Sequence, residues 1–279
     1  NSELDLKLID EKVFIPKSTF QATYKQSLIK GHINLFPSPF DDTGDLALKI
    51  NSNDIDYADA LNLFPNLKFT KFTKGWLQNS ISCGSLKEFS FIYRGPIDNK
   101  YDDSSSSFQS KGFFKDICLN LIDLDIKDIS LISRINNSSF TGEVIGGDLY
   151  GSKIEATIRT FKDDNNYGLE VKGNSEGPFS TILKLSNLSQ IFEAESDVSG
   201  EHNSNFYFVS PLVSNLELLG NNSELKLRTK IKNGNFKNKK TKLQFSSLYS
   251  SLEYDSFNGV KDSFATTRIN NIPVKFDIR

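Results

Sequence analysis

The sequence predicts a mainly β protein, built as a mostly antiparallel sheet with a few short helices. Three observations carry that expectation. Apolar and polar residues alternate with a period of two in segment after segment, turn-forming residues separate those segments, and aromatic residues are abundant, with 23 phenylalanines and 9 tyrosines. Alternation describes strands with one apolar and one wet face. Aromatic side chains suit strands better than helices. Parallel strands covered on both faces would lose the polar alternation, so antiparallel or one-sided sheet is expected.

The elements follow in order along the chain. "LDLKLI" (4–9) and "DLALKI" (45–50) alternate. "WLQNSISCGSLKEFSFIYRGP" (76–96) starts as a scrap of helix at Trp76 and Leu77 and is expected to turn at Gly84. It then reads as a strand carrying Phe89, Phe91 and Tyr93 on one parity, ending at Arg94-Gly95-Pro96. "DNKYDDSSSS" (98–107) reads as a polar loop. In "KIEATIRT", Ile154, Ala156 and Ile158 oppose Glu155, Thr157 and Arg159, and "KDDNNYG" (162–168) separates this strand from the next. In "ELKLRTKI", Leu225, Leu227 and Ile231 oppose Lys226, Arg228 and Lys230. Asn233-Gly234 predicts a hairpin turn directly after it. "PVKFDIR" sets Val274, Phe276 and Ile278 against Lys275, Asp277 and Arg279.

Helical spacing is confined to short pieces. "PFSTILKLSNLSQIFEA" places Ile182, Leu185, Leu188 and Ile191 or Phe192 at intervals of three or four, after Pro178 and with Ser180 as a cap. "YADALNLF" and "TKGWLQNS" each predict one or two turns. Such helices are expected to cap an open end of the sheet.

A long repeat organises the second half. "GFFK" begins at Gly112 and "GNFK" at Gly234, while "LYGSKIEATIR" (149–159) is echoed by "INNIPVKFDIR" (269–279). The offsets, 122 and 120 residues, define repeated strand units at about 112–159 and 234–279. Such a repeat extends a sheet along one axis, so the chain reads as one elongated segment, 1–279.

The charge pattern and the motifs exclude several classes. With 33 basic and 35 acidic residues, net charge −2, nothing predicts the concentrated positive field that nucleic acid requires. The basic run from Lys226 to Lys242 reads mainly as the wet face of a hairpin. No stretch of 18 apolar residues is present to span a bilayer as a helix. Asn1 is not a natural initiator, so a processed or trimmed chain, or a piece of a longer one, is expected. Cys83 and Cys118 fit either one disulfide in an oxidising compartment or two reduced thiols. The two histidines, His32 and His202, belong to no metal or hydrolase motif and are expected to be surface or satisfied residues. The acid pairs Asp54/Asp56 and Asp123/Asp125 read as strand-edge or turn residues. Gly142, Gly146, Gly147 and Gly151 read as bends and turns between strands. No catalytic residue, cofactor or metal is expected.

"LFPNLKFTKFTKGWLQNSISCGSLKEFSFIYRGPI" (63–97) resembles a signature region of the AsmA-like proteins of Gram-negative bacteria, of the YhdP and TamB type. The matching residues are Phe64-Pro65, Trp76-Leu77, Gly84 and Arg94-Gly95-Pro96. "GPFSTILKLSNLSQIF" is similar to the family's amphipathic segment. "LRTKIKNGNFK" through "FATTRINNIPVKFDIR", with Pro273 at a small-X-Pro-Val corner, is similar to its recurring unit. The resemblance implies an internal segment of an inner-membrane-anchored periplasmic protein. Its long twisted sheet would curl into an open, taco- or U-shaped hydrophobic groove. The implied function is non-enzymatic: transfer of glycerophospholipids between the inner and outer membranes, with acyl chains as the partner and no cofactor. On this pattern Phe89, Phe91, Tyr93, Ile154, Ile158, Leu225, Leu227, Val274, Phe276 and Ile278 line the groove. Trp76, Leu77, Gly84, Gly95, Pro96 and Pro273 serve structural roles. The alternative reading is a structural or binding β-rich module, sandwich or solenoid, that recognises a protein or glycan.

Overall fold

The computed structural model describes residues 7–9, 12–24, 27–36, 45–61, 78, 81–96, 106–121, 124–137, 139–163, 166–185, 198–211, 223–238 and 240–278. Among the described residues, fifteen strands form one open antiparallel sheet whose order is the chain order. The chain divides into two compact units, Asn1–Cys118 with Ser130–Gly142, and Leu119–Ile129 with Glu143–Arg279.

The first unit begins with β1 (Lys7–Ile9), β2 (Lys12–Tyr24), β3 (Ser27–Phe36) and β4 (Asp45–Asp56). A one-turn helix, α1 (Tyr57–Leu61), precedes β5 (Ile81–Pro96) and β6 (Ser107–Leu121). The end of β6 and the strands β7 (Leu124–Asn136) and β8 (Phe140–Leu149) are divided between the units. Directly paired residues of an antiparallel ladder share a face. The register therefore lays out rows across β2–β5: Phe20, Gly31, Ile50 and Phe91 in one, Ser18, Ile33, Leu48 and Tyr93 in the next. Phe89 and Phe91 are buried, with rings stacked 6.4 Å apart, and Phe91 meets Phe108 at 6.2 Å.

Three strands of this region carry an aspartate at positive φ followed by a buried isoleucine: Asp54-Ile55 in β4, Asp116-Ile117 in β6 and Asp128-Ile129 in β7. Aspartate visits the left-handed region more readily than most residues. In β6 the buried residues are Phe108, Ser110, Gly112 and Phe114 before the aspartate and Ile117 after it. The irregularity thus shifts parity while the apolar side chains stay inside. Gly84 lies in mid-strand, where a Cβ would press on the Cγ1 and Cα of Ile117; it is not the turn that the sequence suggested. Its job is a close backbone approach to the Asp116 irregularity. Gly95 likewise has no room for a Cβ beside Ser106, and the Pro96 carbonyl, ending β5, accepts a hydrogen bond from the Tyr93 hydroxyl (2.8 Å). Trp76 and Leu77 lie outside the described residues, as does Asp123. Cys83 and Cys118 are joined, tying β5 to β6 with Cα atoms 5.0 Å apart.

The second unit continues with β9 (Ser152–Asp163) and β10 (Asn166–Pro178), followed by the helix α2 (Phe179–Leu185). β11 (Ser199–Pro211), β12 (Glu224–Lys237), β13 (Gln244–Asp255), β14 (Gly259–Ile269) and β15 (Ile272–Ile278) complete it. The expected turn at Asn233-Gly234 is instead a bulge inside β12: Asn233 has φ 51°, and the register shifts between Ile231 and Gly234. The chain reverses later, where Asn238 donates its backbone N–H to the Leu243 carbonyl and its side chain accepts from Lys240 and Thr241. Helix α2 also differs from expectation. It starts at Phe179, so Ser180 lies within it, and its buried residues are Phe179, Thr181 and Leu183. Gly142, Gly146 and Gly147 sit within β8, and only Gly151 occupies a turn. The two members of the sequence repeat fall six strands apart, Gly112 in β6 and Gly234 in β12. Their later halves straddle two-residue turns, Tyr150-Gly151 and Asn270-Asn271, with positive φ at both positions. Turns of that kind match the twist of paired strands.

Phenylalanine stands directly opposite glycine in three places: Phe20 and Gly31, Phe161 and Gly168, Phe206 and Gly173. In each pair a Cβ on the glycine would collide with the ring, so the ring covers a bare strand as aromatic residues do in sheets.

Two outcomes are expected. Replacing Cys83 and Cys118 by serine should lower unfolding free energy by about 2–4 kcal/mol in urea titrations, while unreduced protein unfolded in urea shows no free thiol. Gly173→Ala should cost about 1–3 kcal/mol through overpacking against Phe206, and an unchanged urea midpoint would contradict the ring-over-glycine reading.

Candidate functional site: one apolar sheet face

The ladder from β9 to β13 keeps a single register through its centre, and this fixes which side chains lie beside each other. Ile158, Val171, Phe208 and Leu225 form one row. Ala156, Gly173, Phe206, Leu227 and Tyr254 form the next. Ile154, Ser175, Ser204, Thr229 and Leu252 follow, and then Gly177, His202, Ile231 and Ser250. The last row continues through Ala265 to Phe276, with Val274 and Ile278 on the same side of β15. All seven residues proposed from the sequence in this unit, from Ile154 to Ile278, therefore share one face. Phe89, Phe91 and Tyr93 share one face of the first unit.

Exposure along that face is graded. Helix α2 packs on the row containing Ile231, with Phe179, Leu183 and Ile231 buried together and Phe236, Leu248 and Leu252 around them. Away from the helix the face opens: Leu225, Tyr254, Val260, Phe276 and Ile278 are 36–45 % or slightly more exposed, the highest being Phe276 at 46 %. Ile154, by contrast, is buried.

Under the helix the face is polar; Ser175 Oγ and Ser250 Oγ are buried without a hydrogen-bond partner, while one chain of hydroxyls has its protons in determined places. The Thr181 hydroxyl donates to the Tyr150 carbonyl (3.1 Å), and the Ser152 hydroxyl donates to Thr181 (2.7 Å). Ser152 has no second proton, so its 2.9 Å contact with His202 Nε2 is donated by the ring. His202 Nδ1 then accepts from Ser204 (3.0 Å), and Ser204 accepts from Thr229 (3.0 Å). One terminal carbonyl thus sets the direction of the whole chain and selects the neutral Nε2–H tautomer. Burial holds the imidazole below its ordinary pKa. Gly177 makes the arrangement possible: a side chain there would strike Ser152, which meets His202 across the strand between them. Ser152 and His202 are fully buried, and the imidazole's other nitrogen meets a hydroxyl, not a carboxylate. This is a packing network. It matches the expectation of a satisfied histidine, whereas His32 is exposed.

The opposite face is charged. Glu170 accepts from Arg159 Nε (2.7 Å) and Nη2 (2.9 Å), from the Tyr207 hydroxyl (3.3 Å) and from Lys172 Nζ (3.1 Å). Lys226 pairs with Glu224 (2.5 Å) and Arg228 with Glu253 (3.0 Å). At Lys226 and Arg228 the basic run is thereby paired with local acids. The Arg159 guanidinium, followed by Lys172, pulls the Glu170 carboxyl down to about 2. Asp54 lies at its positive-φ position and pairs with Lys87 (2.9 Å).

Sequence reasoning missed the hydroxyl row Ser152, Thr181, Ser204 and Thr229, because small polar residues at apolar parity look like interruptions. Their regular recurrence at inward positions was the available signal. Among the described residues no group of acidic, histidine or cysteine side chains is arranged to hold a metal, and no helix is long and apolar enough to cross a membrane. No family model, curated protein or solved structure matches the chain.

The lowered carboxyl of Glu170 predicts acid sensitivity of a defined sign. Its folded pKa lies below its ordinary value, so its contribution is complete above about pH 4.5 and is lost as pH falls towards 2. Urea midpoints measured between pH 5 and 2 should decline less steeply in Glu170→Gln than in the parent. Parallel curves would remove Glu170 as a source of the acid response.

Proposed function

We propose that this chain is a non-enzymatic lipid-transfer module of the AsmA-like type, acting in the periplasm as part of an inner-membrane-anchored protein. Its apolar face would carry the acyl chains of glycerophospholipids between inner and outer membranes while headgroups remain at water. The observation that carries this reading is the two-sidedness of the second unit. Leu225, Tyr254, Phe276 and Ile278 lie partly exposed on one face, and a saturated network of charges occupies the other. Solvent-exposed apolar rows of this kind mark an interaction surface. Each methylene moved from water onto such a surface gains about 0.8 kcal/mol, so an acyl chain is a fitting occupant and no catalytic group is required.

Two further features support the finer reading of an open groove. Paired strands twist with a fixed hand, and irregular positions such as Asp54, Asp116, Asn233 and Asp262 increase local bend. The Cys83–Cys118 disulfide suits an oxidising compartment.

The test is positional. With a photoreactive side chain at Leu227 and vesicles of phosphatidylethanolamine and phosphatidylglycerol, irradiation should capture phospholipid; the same probe at Lys226, one residue away on the charged face, should not. Ile158→Asp should lower capture at Leu227 at least tenfold in protein that still folds. Equal capture at both positions, or at neither, would sink the transfer reading in favour of a β-rich module that binds protein or glycan.

A further inference from the structure

The ion pairs of the charged face cover only one end of it. Lys226 and Arg228 are matched by Glu224 and Glu253, yet the basic run goes on to Lys230 and Lys232. Glu201 stands opposite Lys232 on β11, and no ion pair joins them. The register carries this face on across β13 to β15. Lys230, Ser251, Phe264 and Asp277 form one outward row. Tyr249, Thr266 and Lys275 form the next, and Ser246, Arg268 and Pro273 the one after. Two features here are foreign to an ordinary wet face. Tyr249 is 44 % exposed, with its ring centre 5.9 Å from that of Phe264, so an aromatic pair lies among cations. Arg268 is exposed, and among the described residues no carboxylate pairs with it, whereas Lys275 is bonded to Asp277 at 2.9 Å.

The backbone shapes the space beside them. Ser247 has φ of 52°, and the β13–β14 register shifts between Ser246 and Tyr249. The Ser247 N–H donates to Asn235 Oδ1 (3.0 Å), which holds this irregularity in place. An open depression of about 370 Å³ adjoins it, lined in part by Ser247, Thr266, Arg268, Pro273 and Lys275. Clefts for small ligands measure about 300–1,000 Å³, so the depression has room for a sugar ring. Thr266, Arg268, Pro273 and Lys275 are positions on the face of the sheet, and a strand pairing beside β15 would leave them as they stand.

The chemistry of these groups narrows the ligand. A guanidinium is a planar fork of donors that binds a carboxylate through paired hydrogen bonds. With Lys275 compensated by Asp277, the depression carries one uncompensated positive charge, that of Arg268, which suits one negative charge per ligand ring. The exposed tyrosine ring offers a partly negative face to the C–H side of a pyranose. Lys230 and Lys232 extend the positive surface beyond the depression, where the next charged units of a chain would lie.

We propose that this end of the charged face binds an acidic polysaccharide of the uronate type. Arg268 holds a carboxylate, Thr266 and Lys275 meet the neighbouring hydroxyls, and Tyr249 stacks on the ring. Single-stranded nucleic acid shares the need for cations and a stacking platform. The Cys83–Cys118 disulfide, which suits an oxidising compartment, favours the polysaccharide. The site lies on the side of the sheet away from Leu225 and Leu227, so it stands whether or not lipid binds there.

Trigalacturonate titrated into the full chain at low salt tests it, and a Kd of about 1 mM or tighter is expected. Its methyl ester, which lacks the charges, should bind at least tenfold more weakly. Arg268→Gln should lower affinity at least tenfold, and Tyr249→Leu about fivefold, while Tyr249→Phe keeps it. Lys226→Gln, which removes an exposed cation already paired with Glu224, should leave affinity unchanged, as should Ile158→Asp on the apolar face. Parental urea midpoints in Arg268→Gln and Tyr249→Leu separate a lost contact from a lost fold. Absence of binding to the parent, equal binding of the methyl ester, equal losses from Arg268→Gln and Lys226→Gln, or tighter binding of a thymidine hexanucleotide would each overturn the assignment.

Discussion

Ladder register in the second unit decides nearly everything else about it. Between β9 and β12 the pairs Ile158–Val171, Val171–Phe208 and Phe208–Leu225 stay in line. A slip of one residue in any of these strands would send its apolar set to the charged side and put a lysine or glutamate under helix α2. The charged face reinforces the same choice. Arg159 meets Glu170 directly across the β9–β10 pair, and Arg228 meets Glu253 across β12–β13. These ion pairs are largely exposed, so each contributes little energy; their value lies in penalising wrong registers. Glu170 is the exception, since its carboxylate is buried and saturated by donors from both neighbouring strands.

Long strands in a single sheet face a second constraint. They must curve while the apolar parity stays on one side. Left-handed residues answer it at Asp54, Asp116, Asp128, Asn233 and Asp262. Asn233 shows the mechanics most plainly. Thr229 and Ile231 are inward before it and Gly234 is inward after it, so the extra residue is absorbed without exposing the core. Gly200 gives way on the adjoining strand, with no room for a Cβ beside Gly234. Aspartate and asparagine suit these positions because their short side chains tolerate the conformation and their polar ends remain wet.

How far the sequence foretold this differs by element. Period-two alternation revealed the strands at Ile154–Ile158, Leu225–Ile231 and Val274–Ile278, and it assigned their faces, because that pattern is a direct consequence of one-sided burial. Asn233-Gly234 misled for a physical reason: the same left-handed preference that makes a hairpin turn also makes a bulge, and only pairing with β11 and β13 distinguishes them. Helix α2 was legible as a helix after Pro178, yet its buried face was not. Phe179 and Leu183, four residues apart, are the buried apolar pair, with Ile182 packed beside them and Leu185 exposed. The disulfide was undetermined in sequence, since a separation of 35 positions says nothing about which strands lie side by side.

The buried hydroxyl chain explains why the apolar face is closed at one end and open at the other. A helix laid on a sheet needs close approach, and small side chains provide it: Gly177, Ser152, Ser204 and Thr229 lie where larger residues would hold α2 away. Small hydroxyls buried without partners would be costly, so the row is stable only because Thr181 and His202 complete a chain ending on the Tyr150 carbonyl. A charged imidazole would donate from Nδ1 as well, forcing the Ser204 and Thr229 hydroxyls to turn. The network therefore resists protonation by geometry as well as by burial. Beyond its reach no helix is needed, the inward residues become Phe206, Phe208, Leu225 and Leu227, and the sheet presents apolar side chains instead of satisfied polar ones. The boundary between the two regimes is the row Ile154, Ser175, Ser204 and Thr229. Across β9 to β12 an apolar occupant of the face lies on the Leu225 side of that row, and past the helix the exposed Phe276 and Ile278 of β15 continue the apolar surface.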